Sequence, residues 1–326
     1  MNAIHTLILN GDEVRSLLAP SLVVEAVERA FAAHGRGETV MPAKVYLPLA
    51  KYDGDFRGMP VFMDGAAGIK WVNAHPRNPE RNGLPSVLGV FILSDPETAR
   101  PLAIMDATGL TSIRTGAAAA VATKHLARAA SRTLGVIGCG AQARAVISCH
   151  LAATTLDEIV VHDRDATAAE RLASDLSSAR VRVGSLEETA GADVLCTLTP
   201  SRAPIVDRAM VRLGTHINAM GADAPGKQEL DERILDDARV FVDDWDQGCE
   251  SGEVNVALAN GRFGREHLAG SLGEVIAGRK PGRNGESEIT VFDSTGLAVQ
   301  DLAVARIVYD AARLKGLGID LELVRP

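Results

Sequence analysis

The sequence predicts an α/β protein with one doubly wound domain and a second, discontinuous α+β domain built from both ends of the chain. From Thr133 onward, continuous apolar runs alternate with helical segments, which favours a parallel sheet with helices on both faces. Residues 40–105 instead carry short apolar runs separated by Pro, Gly and Asp, a composition typical of strands and tight turns. A chain of 326 residues is long enough for two such domains.

The first part of the chain predicts helices on either side of a stretch of strands. Residues 11–37 predict two helices, with Pro20 at the start of the second and Gly35 or Gly37 at its end. The Ala-rich run "TSIRTGAAAAVATKHLARA" predicts a long helix that leads towards Thr133. We expect the final helix, in "LAVQDLAVARIVYDAARLKG", to return to this first domain. The strand-like runs are "KVYLPLA", "MPVFMDGAAGIKWVNAH" and "SVLGVFILSD".

The second part alternates strands with helices, one of which is predicted in "QELDERILDDA". We place this domain at 119–299 and the first domain at 1–118 and 300–326. The predicted strands of the second domain are "TLGVIG", "EIVVHD", "RVRVG", "DVLCTLT", "THINAMG", "RVFVDD" and "EITVFDS".

Composition excludes several classes of function. The net charge of −8 argues against nucleic acid or an anionic membrane as a general partner, because there is no basic excess to release counterions. The four cysteines are dispersed and do not pair with histidines at metal-ligand spacing, so we expect no metal site and a reducing cytoplasm. We expect no signal peptide, and no apolar run approaches the roughly 20 residues that span a bilayer.

The turn "GVIGCGAQA" follows the first strand of the second domain and predicts a dinucleotide site of the Rossmann type. Gly138 would make the tight turn, Gly140 would let a pyrophosphate approach the backbone, and Ala143 would let the helix pack closely. Asp163 ends the next strand, 25 residues after Gly138, where an acid bonds the adenosine ribose. Asp163 favours NAD over NADP, although Arg164 beside it could accept a 2′-phosphate. Further cofactor candidates at this turn and at later strand ends are Ala141, Gln142, Thr197, Thr199, Met220 and Ser294.

Charged residues in the first domain predict an anion-binding site. Lys70 lies in the apolar run "AGIKWVNAH", and Arg114 begins an apolar helix. Buried cations need an anionic partner, which a substrate carboxylate could be. An internal carboxylate such as Asp64 or Asp106 would serve equally well. Two loop cations are weaker candidates, Lys44 and Arg57.

Two polar segments follow predicted strands of the second domain. Asp223, in "NAMGADAPGKQELD", lies where open parallel sheets bind ligands and could exchange protons with a substrate amine or with water. It could instead cap a helix starting near Pro225. Ser294, in "DSTG", could reach a nicotinamide carboxamide or could simply be the N-cap of the final helix.

Taken together, these segments resemble the ornithine cyclodeaminase/mu-crystallin family, and within it the archaeal-type alanine dehydrogenase branch. The resemblance covers essentially the whole chain and is carried by residues 68–120, "GVIGCGAQA", "NAMGADAPGKQEL" and "VFDSTGLAVQDLA". It implies a homodimer with a substrate and dimerisation domain and a Rossmann NAD domain. It also implies that Lys70 and Arg114, helped by Lys44, hold the substrate carboxylate, and that Asp223 is the acid/base.

One position departs from the cyclodeaminase pattern. Cyclodeaminases carry a glutamate that meets the distal ammonium of ornithine, and here that place is occupied by Arg57. A cation would repel that ammonium, so ornithine is disfavoured.

The sequence therefore predicts an NAD-dependent oxidoreductase that interconverts a small L-amino acid, alanine first, and its imino or 2-oxo acid. Lys70 and Asp223 are the catalytic candidates, and Lys44, Arg57, Lys70 and Arg114 are the substrate-binding candidates. The alternatives are a ketimine or pyrroline-2-carboxylate reductase, an ornithine cyclodeaminase that recycles NAD internally, and a non-catalytic ligand-binding protein of the mu-crystallin kind.

Overall fold

A computed structural model describes residues 4–176 and 180–324. The chain divides into two compact units. The first unit runs up to Arg114 and resumes at Ala298, and the second comprises Thr115–Leu297.

The first unit contains a mixed eight-stranded sheet. The strand order is β18-β1-β7-β6-β5-β4-β2, and β3 pairs with β4. β1 lies parallel to β7, and the other pairs are antiparallel. The two short strands near the chain ends, β1 and β18, are not predicted by the apolar pattern of the sequence. The strands are β1 (Ile4–Leu9), β2 (Thr39–Val40), β3 (Val45–Leu49), β4 (Gly54–Met63), β5 (Ala66–Ala74), β6 (Val87–Ser94), β7 (Pro101–Asp106) and β18 (Ile319–Val324).

Two helices open this unit where the sequence predicts them. α2 begins at Pro20, whose missing N–H costs nothing at that position. It ends before Gly37, which takes the left-handed conformation at φ 77°, whereas Gly35 is buried inside the helix. The helices that begin in this unit are α1 (Gly11–Leu17), α2 (Pro20–Arg36), α3 (Asn78–Asn82), α4 (Thr108–Leu126) and α12 (Ala298–Lys315).

The sheet of the first unit has one covered face and one open face. α12 packs on β4, β5 and β6, and α2 packs on α12. Lys70 pairs with Met59 and Phe91 across the strands, and all three are buried beneath these helices. Its neighbour Trp71 points to the opposite face and is exposed, because successive side chains of a strand alternate.

The second unit is a doubly wound parallel sheet, which confirms the predicted fold class. Its order is β10-β9-β8-β11-β13-β17-β15-β16, and every pair is parallel. From β8 the chain first builds the sheet in one direction, to β9 and β10, and then in the other, starting with β11. This reversal creates a switch point at the carboxyl ends of β8 and β11. The strands are β8 (Thr133–Ile137), β9 (Glu158–His162), β10 (Val181–Val183), β11 (Val194–Thr197), β13 (His216–Ala219), β15 (Ala238–Val242), β16 (Leu268–Ser271) and β17 (Ile289–Asp293).

One predicted helix of this unit is wrong in part. The segment predicted as a helix at 228–238 starts as a strand, β14 (Gln228–Leu230), which pairs with β12 (Arg202–Val206). The helix begins only after Asp231, whose side chain caps it. The helices are α5 (Ala143–Ala153), α6 (Ala166–Asp175), α7 (Leu186–Ala190), α8 (Glu232–Asp237), α9 (Trp245–Ser251), α10 (Asn255–Ala259) and α11 (Leu272–Ile276).

Apolar side chains from both faces of β8 and β11, and from one face of β13, form the core of the second unit, which fixes the strand ends where the candidate residues lie. In the part of the chain that the structure describes, no helix combines the length and apolar character needed to cross a bilayer.

Candidate functional site

The glycine turn of the second unit joins β8 to α5 and leaves room for a ligand. Gly138 has φ 98°, and a Cβ there would lie 3.1 Å from the Leu198 carbonyl carbon, so a glycine is required. Apart from Gly140 itself and its two chain neighbours, no described residue has an atom within 4 Å of the position that a Cβ would take at Gly140. Ala143 is fully buried against the strand. These three positions therefore fit the close backbone approach that a pyrophosphate needs.

The helix that follows this turn adds a favourable electrostatic end. Gln142 precedes α5 and makes no side-chain capping bond, and Ala141 is exposed beside it. The first N–H groups of a helix carry partial positive charge, which favours an anion such as a diphosphate.

Asp163 ties the end of β9 to the glycine turn. Its Oδ2 accepts from the Cys139 N–H at 2.7 Å, and its Oδ1 accepts from the Asp165 N–H at 2.9 Å. Each carboxylate oxygen can accept a second hydrogen bond, so a ribose hydroxyl can still bind. Asp163 is half-buried, whereas Arg164 is exposed.

The remaining cofactor candidates lie at the carboxyl ends of neighbouring strands. Thr197 ends β11 and is buried, and Thr199 follows it. Met220 follows β13 and donates its N–H to the Thr197 carbonyl at 3.0 Å. These ends flank the switch point, which is where open parallel sheets bind their ligands.

Glu229 holds two of these strand ends together, and the sequence analysis missed it. Its Oε1 accepts from the Thr199 N–H at 2.6 Å and from the Thr199 hydroxyl at 2.7 Å. Its Oε2 accepts from the Gly221 N–H at 2.9 Å. Glu229 is fully buried, and burial raises its pKa. The carboxyl group thus fixes the loop after β11 relative to the loop that carries Asp223.

Asp223 lies in the loop between β13 and β14, with about a third of its side chain exposed. Its carboxylate accepts a hydrogen bond from the Lys227 ammonium. No helix starts at Pro225, so the capping alternative for Asp223 is wrong, because the chain forms a turn and then β14. An accessible carboxylate beside a cation can exchange protons with a ligand.

Ser294 follows β17 and donates its hydroxyl to Asp243 at 3.3 Å. Asp243 is fully buried and also accepts from the Thr295 hydroxyl at 3.0 Å and from the Gly296 N–H at 2.7 Å. The N-cap alternative for Ser294 is wrong, since α12 begins at Ala298. Asp243 instead fixes the "DSTG" turn at the end of the sheet.

In the first unit, Lys70 and Arg114 meet on one carboxylate. Asp301 Oδ2 lies 2.7 Å from Lys70 Nζ, and its Oδ1 accepts from Arg114 Nε at 3.1 Å. Lys70 is 1% exposed and Asp301 is 0% exposed. The internal-carboxylate alternative is thus confirmed, but the residue is Asp301 and not Asp64 or Asp106, since Asp64 lies in the β4–β5 turn and Asp106 accepts from the Gly109 N–H.

The cluster retains an uncompensated positive charge. The pKa of Lys70 is lowered to about 7, chiefly by burial and also by the positive charges of Arg114 and Lys44, against the opposing effect of Asp301. Two cations against one carboxylate favour a second anion, because charges interact strongly where water is excluded. A ligand carboxylate would supply it.

Arg57 shares the covered sheet face with Lys70 but forms its own ion pair. The register places Arg57 opposite Val72, two residues along β5 from Lys70. Its guanidinium donates to both oxygens of Asp55, at 2.9 Å and 3.0 Å, and lies 5.3 Å from the centre of the Tyr46 ring. Arg57 is therefore held in place by Asp55 rather than by the Lys70 cluster.

Asp301 is the principal residue that the sequence analysis missed in this unit. The signal was present, since an aspartate in the middle of "GLAVQDLAVA" is out of place on a buried helix face. Among the described residues, no group of three or more His, Cys, Asp or Glu side chains is placed to hold a metal ion.

Comparison with known proteins yields whole-length matches. The family model described as "Ornithine cyclodeaminase/mu-crystallin family" matches residues 4–316. An alanine dehydrogenase of Archaeoglobus fulgidus is 47% identical over 323 residues, which cover 98% of this chain and 99% of that protein.

Two solved structures extend this likeness to the fold. An archaeal alanine dehydrogenase dimer with bound NAD has a TM-score of 0.95 and 47% identity, over 98% of this chain and all of that one. The Δ1-pyrroline-2-carboxylate reductase of Thermococcus litoralis, in complex with NADH and L-proline, has a TM-score of 0.92 and 32% identity, over 97% of this chain and all of that one.

Proposed function

The chain belongs to the ornithine cyclodeaminase/mu-crystallin family, as its sequence predicts, and we propose that it is an NAD-linked oxidoreductase. The reaction interconverts a small L-amino acid, alanine first, and its imino or 2-oxo acid. The observation that carries the proposal is the buried pair of cations, Lys70 and Arg114, that share the single carboxylate of Asp301. The 47% identity to an alanine dehydrogenase supports the choice of alanine.

The first unit binds the substrate carboxylate through Lys70 and Arg114. Arg114 offers a planar fork of N–H donors, and Lys70 offers a point charge. Because Asp301 fixes both, the substrate is oriented as well as bound, and such positioning contributes roughly 7–11 kcal/mol to well-oriented reactions. Lys44 adds positive potential, whereas the charge of Arg57 is largely offset by its ion pair with Asp55.

The second unit holds the cofactor. NAD, when bound, supplies the group that accepts a hydride from the substrate Cα or returns it. Gly138, Gly140 and the start of α5 hold the diphosphate, and Asp163 bonds the adenosine ribose. A 2′-phosphate would approach the Asp163 carboxylate, so NAD is preferred to NADP.

Asp223 manages the protons of the reaction. It takes a proton from the substrate amine or from the water that hydrolyses the imine, and it returns that proton in the reverse direction. Lys227, which donates to Asp223, stabilises the carboxylate form between these steps.

A reductase of cyclic imines is the second candidate. The pyrroline-2-carboxylate reductase from Thermococcus litoralis, crystallised with L-proline, supports it by its likeness over 97% of this chain. The same carboxylate clamp would serve an imino acid whose nitrogen lies in a ring. An ornithine cyclodeaminase and a ligand-binding protein of the mu-crystallin kind are the remaining candidates, and an arginine, Arg57, stands where the former carries a glutamate.

We also propose that two copies of the chain form a dimer through the open face of the first unit's sheet. That face carries Val45, Leu47, Trp71 and Val90, each at least 41% exposed, and Phe56 stacks on Trp71 there. Antiparallel sheets with one open face normally present polar side chains on it, so an apolar open face indicates an interface. The archaeal alanine dehydrogenase is also described as a dimer.

The four cysteines carry free thiols, which fits the reducing cytoplasm.

A screen for NADH formation and consumption tests the function. The purified enzyme is incubated with NAD and single L-amino acids, and with NADH and 2-oxo acids plus ammonia, 2-oxo acids plus methylamine, or cyclic imines. We expect alanine to reduce NAD, and pyruvate with ammonia to oxidise NADH. Preference for a cyclic imine would select the reductase. Ammonia release from ornithine without net NADH would select the cyclodeaminase, and binding without turnover would select the binding protein.

A further inference from the structure

Gln300 presents a buried hydrogen-bond donor beside the cations of the first unit. It is fully buried on α12, immediately before Asp301. Its Oε1 accepts from Arg114 Nη1 at 2.9 Å. Its Nε2 is buried, and no described residue accepts a hydrogen bond from it. An amide nitrogen without an acceptor is costly in the interior, so its position calls for an explanation.

The orientation of this amide is fixed by charge. If the amide were rotated to exchange its two ends, the NH2 group would face the Arg114 guanidinium, and two donors would oppose each other. The oxygen therefore stays on Arg114, and the nitrogen stays on the side without a protein acceptor. Because Nε2 and Oε1 belong to the same amide group, Nε2 stays close to the guanidinium of Arg114, which is proposed to bind the substrate.

We propose that Gln300 is a third donor to the substrate carboxylate, beside Lys70 and Arg114; this inference rests on the proposed function. The group that satisfies Nε2 must be an acceptor, and the neighbouring cations select an anionic one. A planar monocarboxylate meets both requirements. Gln300 adds a neutral, directional hydrogen bond, which fixes the plane of the carboxylate, whereas Lys70 contributes attraction with little direction.

Two variants at this position separate the donor from the acceptor of the amide. Gln300→Glu keeps an oxygen for Arg114 and replaces the NH2 group, and Gln300→Met keeps approximate length without either polar atom. Titration calorimetry on the full-length enzyme with NAD measures the Kd of pyruvate as the carboxylate probe. We expect both variants to weaken pyruvate binding about tenfold or more, the effect of one hydrogen bond to a charged group.

Two further readouts distinguish a substrate-binding role from a structural one. The Kd of NADH, measured by fluorescence, should stay at the wild-type value in both variants. The Tm of Gln300→Glu should stay near the wild-type value, because this change keeps the oxygen that accepts from Arg114, whereas the Tm of Gln300→Met should fall modestly because that oxygen is lost. In alanine oxidation, the KM for alanine should rise in parallel with the Kd of pyruvate while kcat changes much less.

Three outcomes overturn the inference. Wild-type pyruvate affinity in Gln300→Met would show that the amide does not touch the carboxylate, while the proposed function would stand. A large fall in Tm with unchanged affinity would assign Gln300 to the fold alone. If the wild-type enzyme itself binds no carboxylate and turns over no amino or imino acid, the proposed function fails and this inference fails with it.

Discussion

Lys70 and Arg114 lie side by side because one buried carboxylate, that of Asp301, binds both of them. The two contacts measure 2.7 Å and 3.1 Å, and none of the three side chains is more than 8% exposed. Desolvation makes each charge costly unless the others are present. The pair of cations therefore depends on a residue of the last helix.

Asp301→Asn should destabilise the protein and impair substrate binding together. Removing one partner of a buried ion cluster leaves uncompensated charge, so the free energy of unfolding should fall by about 3–5 kcal/mol. The pKa of Lys70 should fall further, because Asp301 raises it. Urea unfolding at pH 7 measures the first effect. Asp310→Asn is the control, since Asp310 forms an exposed ion pair with Arg306 on the same helix and should cost less than about 1 kcal/mol. Equal losses in the two variants would contradict this account.

Carboxylate affinity should weaken as the pH rises through about 7. The pKa of Lys70 in the free protein is about 7 because of its burial, and an anion binds the protonated form. Above that pH the ammonium is lost, and the Kd of pyruvate should rise by up to about tenfold per pH unit. Binding should also be accompanied by proton uptake near pH 7.

Calorimetry of pyruvate binding between pH 6 and 9, in buffers of different ionisation enthalpy, measures both effects. In Lys70→Met the affinity should be weak at every pH and the dependence should disappear. A wild-type affinity that does not change over this range would remove Lys70 from the anion site.

Asp223→Asn should abolish turnover and keep cofactor affinity. Loss of a general acid/base typically lowers kcat by about 10²–10⁴-fold. The amide can still accept from Lys227, so the loop should keep its place. Stopped-flow NADH formation gives kcat, and NADH fluorescence gives the Kd. A rate within a factor of a few of wild type would show that another group, with Lys70 first, moves the proton.

If the proposed dimer forms through the open face, Trp71→Glu should convert it into monomers. Trp71 lies on the open apolar face, and a charge there would lose its hydration in an interface. Sedimentation velocity at micromolar concentration measures the change. Leu314→Glu is the control, because Leu314 is 88% exposed near the end of α12, the helix that covers the other face of the sheet. A Trp71→Glu protein that sediments as the wild type does would rule out this face as the interface.

Two buried histidines should make the protein sensitive to acid. Burial lowers the pKa of His150 to about 4 and that of His216 to about 3. Both are hydrogen-bonded as neutral rings, and His150 donates from Nδ1 to the Val146 carbonyl at 2.8 Å. Below about pH 6.5 the unfolded chain takes up protons that the native state does not bind, so stability should fall by up to about 1.4 kcal/mol per pH unit for each histidine.

Urea unfolding at pH 7.5, 6 and 5 measures this slope. In His216→Gln the loss of stability on acidification should be smaller than in the wild type by up to about 1.4 kcal/mol per pH unit, and the comparison cancels the opposing effect of Glu229, whose raised pKa adds stability as the pH falls. The same pH dependence in both proteins would contradict this role of His216.

The sequence by itself determined the features that depend on neighbouring residues. The period of apolar residues marked the parallel strands, Pro20 marked the start of a helix whose end it left to Gly35 or Gly37, and Gly138 marked a turn that only a glycine can make. Each of these follows from local sterics and from which faces must be buried. The family resemblance rests on the same stretches.

The tertiary structure decided which side chains meet across the chain. Asp301 lies 187 residues from Arg114, and Glu229 lies 30 residues from Thr199, so no local pattern joins them. The sequence showed that Lys70 and Arg114 needed an anion, but Asp64 and Asp106 were equally acceptable as that anion. Only the packing of α12 against β4, β5 and β6 selects Asp301. A buried charge is stable only next to an opposite charge, and the fold decides which residue supplies it.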